Sequence, residues 1–95
     1  MLTLSACEAS LPAPLASDAA RLEGSLAGSS VRDLEQGRTL YSQRCAGCHA
    51  LRAPESETPE SWRREVHQMR ATKGVRISDD EERRITAYLI SISSR

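Results

Sequence analysis

The stretch Arg44-Cys45-Ala46-Gly47-Cys48-His49 puts two thiols and an imidazole within five consecutive positions. Three chemistries use such a cluster: a dithiol redox switch, a zinc site, or a covalently held haem. What surrounds the hexapeptide decides among them, and the choice carries the fold with it.

The chain has 95 residues, of which 39% are hydrophobic and only 3% aromatic, with no Phe, one Trp and two Tyr. That is thin material for a core, and a domain this small often needs a cofactor, metal or disulfides to be stable. Three cysteines leave one over from any disulfide framework. The formal net charge of +0 supplies no field for nucleic acid or an anionic membrane. No apolar run approaches the roughly 20 residues of a transmembrane helix.

Residues 1–30 are rich in Ala, Ser, Pro and Leu, and Pro12, Pro14, Gly24 and Gly28 interrupt them. They read as a flexible tether, with a weak helical turn around Ala16–Leu26 that has nothing obvious to pack on. Residues 31–95 form the domain proper. A first helix runs from about Val31 to Cys45, with Leu34, Tyr41 and Cys45 on one face beside Gly37 and Arg38. A second opens at Thr58-Pro59-Glu60, a capping residue followed by Pro at the first helical position. Trp62, Val66 and Met69 then repeat at i, i+4 and i+7, and Gly74 is its stop. A third opens at Ser78, with Glu81 completing a capping box. Asp79 to Glu82 crowd its first turn, where the helix dipole favours anions, and Ile85, Tyr88, Leu89 and Ile92 form its apolar stripe. The expected fold is all-α, three main helices joined by loops.

A closed zinc site draws ligands from two separated pairs, and no second pair follows Cys45, Cys48 and His49; only His67 and the distant Cys7 remain. A dithiol switch wants its C-x-x-C at a helix N-terminus, where the dipole lowers a thiol pKa. Here the motif lies at the C-terminal end of a helix, the wrong pole. Haem attachment uses every residue: two thioethers from Cys45 and Cys48, and His49 as the proximal iron ligand. A large flat apolar disc also supplies the core that the composition lacks.

Gly37-x-x-Leu40-Tyr41-x-x-x-Cys45-x-x-Cys48-His49, then a Pro, a Met and an Ile85-x-x-Tyr88-Leu89 helix, resembles the class I cytochrome c domain. More narrowly, the order looks like small haem subunits of periplasmic oxidoreductases. The resemblance covers about Val31 to Ser94 and leaves out the first thirty residues. It implies one haem c and a second axial ligand at Met69. His67, two residues away, falls on roughly the opposite helix face and is the rival. It also implies a backbone carbonyl, matched here by Pro54, that accepts from the His49 ring. Trp62 is a candidate donor to a haem propionate, with simple packing as the alternative. Gly37 against Tyr88 and Leu89 looks like a close crossing of the first and last helices.

Leu4-Ser5-Ala6-Cys7 looks like a bacterial lipobox, in which the Cys becomes lipidated, although nothing hydrophobic or basic precedes Leu2. With haem attachment occurring outside the bacterial cytoplasm, the expected location is the periplasm, with Cys7 as the only membrane anchor. A free tether would then let the domain range roughly 25–30 Å. Arg44, Arg52, Arg63, Arg64, Arg70, Lys73 and Arg76 are either solvated helix faces or a basic rim that steers an acidic redox partner. The expected function is single-electron transfer between redox proteins, without bond chemistry and without nucleic acid. The alternatives are a haem subunit docked on a larger dehydrogenase, and a ligand-binding haem protein if Met69 leaves the iron open.

Overall fold

Each long helix starts where a hydroxyl side chain takes up an otherwise unpaired backbone N–H. In the computed structural model, which describes residues 11–22, 29–45 and 51–95, the four helices are α1 (Ala16–Arg21), α2 (Val31–Arg44), α3 (Pro59–Thr72) and α4 (Asp79–Ser93). A 3-10 turn, Pro54–Ser56, lies between α2 and α3. Ser30 Oγ accepts from Asp33 N, Thr58 Oγ1 from Ser61 N, and Ser78 Oγ from Glu81 N, each at 3.1 Å. At Ser78 the Glu81 carboxylate accepts the reciprocal bond from Ser78 N at 2.9 Å, closing the capping box. Gly74, at φ 75°, follows the end of α3, and the Lys73 and Val75 amides both donate to the Met69 carbonyl. The fold is all-α: no strand occurs among the described residues, and none of their helices is long and apolar enough to cross a membrane.

The core lies where α2 and α3 cover α4. Leu34 and Tyr41 of α2, Trp62 and Val66 of α3, and Ile85, Tyr88, Leu89 and Ile92 of α4 are all buried. The α2–α4 crossing depends on Gly37. A Cβ placed there would lie 2.1 Å from the Arg84 carbonyl oxygen and 2.9 Å from Tyr88 Cβ. Hydrogen at that position lets the two backbones touch.

Leu11–Leu22 departs from the expected tether. Leu11 and Leu22 are buried in the same core as the long helices. Three consecutive carbonyls of the strap are held by side chains of the domain. Leu11 O accepts from Arg38 Nε and Nη2 at 3.1 and 2.8 Å, Pro12 O from the Tyr88 hydroxyl at 2.6 Å, and Ala13 O from Arg95 Nη2 at 3.0 Å. The α1 helix is then locked to the end of α4 through the buried Asp18, which accepts from Arg21 and Arg95, and Arg21 also donates to Ser91 O at 2.5 Å. Burying two leucines is worth about 2 kcal/mol each, which a six-residue helix could not supply alone. Docking on α2 and α4 is what makes α1 a helix.

Candidate cofactor-attachment site

The α2 helix delivers the cysteine motif. Cys45 is its C-cap, with its N–H donating to Tyr41 O at 3.1 Å. Its side chain is half-buried and packs on the edge of the core, as do Leu40, Leu51 and Val75. Burial pushes the thiol up to about 11, and the C-terminal pole of α2 adds nothing to stabilise a thiolate. At neutral pH Cys45 is a protonated, weakly polar sulfur, unlike the depressed thiol of a dithiol oxidoreductase. Cys48 and His49 lie outside the described residues, as does Cys7.

The chain after the motif is described again from Leu51, and its carbonyls are engaged one after another. Arg52 O accepts from the Tyr41 hydroxyl at 2.7 Å; Ala53 O accepts from Ser56 N and Oγ at 3.0 and 2.6 Å; Pro54 O accepts from Trp62 Nε1 at 2.6 Å. Tyr41 and Trp62 are buried and meet edge to face, centroids 5.9 Å apart at 80°. Above them the Arg52 guanidinium sits 6.0 Å from the Trp62 ring centroid and pairs with Glu57 and Glu65, each at 2.5 Å.

This geometry redistributes two roles expected from the sequence. Trp62 has a single N–H, and here it goes to Pro54 O instead of towards a propionate. The Pro54 carbonyl has two lone pairs, so Trp62 leaves one for a further donor. The two residues were expected to serve the cofactor separately; in the fold they bond to each other. Tyr41, Glu57 and Glu65 had no assigned part in holding this loop, and the signal for them was weak. A Tyr and a pair of acids acquire meaning only once the loop is folded over them.

Met69 is half-buried in the last turn of α3, below the fully buried Trp62 and Val66 on the same face. The loop that follows returns to the motif: Arg44 Nη1 donates to Arg76 O at 3.0 Å, and Arg44 pairs with Glu81 at 3.3 Å. The C-terminal ends of α2 and α3 are thus tied through one short loop. His67 points elsewhere, 69% exposed, with Nδ1 3.3 Å from Glu82 Oε2. It lines a charged groove of about 480 Å³ with Arg63, Arg70, Asp79, Glu82 and Arg83.

The seven basic residues named above divide in two. Arg44, Arg52 and Arg70 are neutralised by Glu81, by Glu57 and Glu65, and by Asp79 and Glu82 respectively. Arg63, Arg64, Lys73 and Arg76 are exposed and form no ion pair among the described residues.

No protein-family model matches the chain, and no curated protein or solved structure is significantly similar to it. The functional reading therefore stands on the motif and this geometry.

Proposed function

We propose that this chain is a monohaem c-type cytochrome that passes single electrons between redox proteins. Haem is held by thioethers to Cys45 and Cys48, with His49 and Met69 as axial ligands and the Pro54 carbonyl as acceptor for the His49 ring. The observation that carries this reading is the C-x-x-C-H spacing of Cys45, Cys48 and His49, with Cys45 capping α2 and half-buried against the apolar core. A thioether is also neutral and apolar, so its formation costs that setting no desolvated charge. When bound, the haem iron supplies the one-electron couple.

The chain's own residues would do the rest. Cys45, Leu40, Leu51 and Val75, each half-buried against the core, would offer apolar atoms to a porphyrin edge. Met69, on a face already turned to the core, needs no charge or proton to act as a ligand. Arg63, Arg64, Lys73 and Arg76 supply a positive surface for a transient acidic partner. A periplasmic location, with lipid on Cys7, belongs to the same proposal. The Leu4-Ser5-Ala6-Cys7 motif supports the lipid anchor.

The test is expression with a c-type haem-maturation system. Denatured protein should retain the mass of one haem, and Cys45→Ser or Cys48→Ser should each leave one thioether and move the reduced α-band to longer wavelength. Apo-protein under conditions that mature a control cytochrome c would end the proposal.

A further inference from the structure

Arg44 stands immediately before Cys45, as the last residue of α2, and its side chain reaches a distant part of the chain. Its Nη1 donates to Arg76 O at 3.0 Å, and its Nη2 lies 3.3 Å from Glu81 Oε2. Arg76 belongs to the short loop between α3 and α4, and Glu81 is the acid of the α4 capping box. The same loop is fastened to Met69. The Lys73 and Val75 amides donate to Met69 O at 3.2 and 3.1 Å, in a turn that Gly74 permits at φ 75°. Val75 packs on the core, and Ile77 is buried in it. The Gly74 turn and the Ser78 cap close the loop onto its own two helices; the Arg44 bonds tie it to α2. A series of bonds thus runs from the residue before Cys45, through the Arg76 and Val75 backbone, to the carbonyl of Met69.

We propose that Arg44 is a positioning residue for Met69: by holding the loop at Arg76 O it fixes the last turn of α3 relative to the end of α2, and so sets how firmly Met69 keeps its place as an axial ligand. This rests on the haem-attachment reading above. A thioether at Cys45 would join the cofactor to α2, whereas Met69 belongs to α3, so the ligand bond depends on the spacing of the two helix ends. Arg44 acts on that spacing through the backbone of residues 73–76. An arginine suits the task because its planar fork serves a carbonyl and a carboxylate at once, which a lysine ammonium does less well. The Arg44–Glu81 pair is part-exposed and screened by water, so the bond to Arg76 O is the larger share of the latch.

Arg44→Met keeps the aliphatic stem and removes the donors. Arg32→Met is the control, an equal loss of charge at the exposed opposite end of the same helix. In the haem-loaded ferric proteins, added imidazole competes with Met69, and loss of the far-red band reads the exchange. Half-loss should need about fivefold to tenfold less imidazole in Arg44→Met, the effect of one net hydrogen bond. Glu81→Gln, which spares the bond to Arg76 O, should shift the midpoint the same way by less, and Arg32→Met should match the unmutated protein. In apo-protein, where no ligand bond contributes, exchange of the Val75 amide should accelerate in Arg44→Met and not in Arg32→Met. An unchanged imidazole midpoint or unchanged Val75 exchange in Arg44→Met, or an equal shift in Arg32→Met, overturns the latch. Unmutated protein without covalent haem, or with haem and no far-red band, overturns the functional reading itself.

Discussion

The Asp18 carboxylate and the Arg95 guanidinium, 77 positions apart, meet in a two-point pair: Nε to Oδ1 at 3.0 Å and Nη2 to Oδ2 at 2.8 Å. Asp18 has no solvent exposure, and it also accepts from Arg21 at 2.6 Å and from the Leu15 amide at 2.7 Å. Four donors on one buried carboxylate lock the strap to the end of α4. Asp18→Asn should therefore cost about 2 kcal/mol. That is below the usual figure for breaking a buried pair, because both arginines reach water. Urea melts of the two proteins measure it, and equal midpoints would show that the Asp18 charge contributes nothing.

Stability should form a plateau in pH with defined edges. The Arg95 guanidinium, together with Leu15 N–H and Arg21, holds Asp18 well below its ordinary value of 3.8. Its contribution is complete above that value and is lost as pH falls towards the folded one. At the other edge, burial pushes Cys45 from 9.0 to about 11 and Tyr88 from 10.0 to about 12. Those contributions are complete below the lower value of each pair and are lost as pH rises through the upper. A thioether cannot ionise, so covalent haem should remove the part of the alkaline limb that begins near 9.0. Melts of apo and haem-loaded protein across that window check this; an apo limb that starts only above pH 10 would contradict it.

Gly37→Ala should cost about 3 kcal/mol, since the new methyl meets backbone that cannot rotate away. By contrast, Gly74→Ala meets nothing within 4 Å and should cost only the strain of φ 75°, about 1 kcal/mol. Thermal melts of the pair separate crowding from conformation.

Ser78→Ala should lose about 1 kcal/mol by removing the cap of α4. Glu81 also pairs with Arg44, so Glu81→Gln should loosen the loop beside the motif as well. Proteolysis between residues 73 and 78 reads that second effect.

Met69→Ala should abolish the far-red ferric band of a Met–iron bond, while His67→Ala should leave it intact. The exposure of His67 and its contact with Glu82 underlie the second expectation. Absence of the band from the unmutated ferric protein, or its survival in Met69→Ala, would overturn the Met69 assignment.

Several features of this protein were legible along the chain. Ser78 with Glu81, Thr58 before Pro59, and Gly74 after α3 mark helix ends because capping is local chemistry, complete within four residues. The stripe Ile85, Tyr88, Leu89 and Ile92 marks the buried face of α4 because helical periodicity is equally local. The strap was not legible. Pro12, Pro14 and sparse charge read as a tether, yet Leu11–Leu22 is docked, because its partners Arg38, Tyr88, Ser91 and Arg95 lie 27 to 82 positions away. The bond from Trp62 to Pro54 belongs to the same class. Both residues looked like cofactor contacts one at a time, and only folding α3 against the loop made them partners. Propensity and capping are settled by near neighbours in the sequence; where a lone N–H or a buried carboxylate finds its partner is settled by the tertiary structure, since burial makes any unpaired alternative too costly.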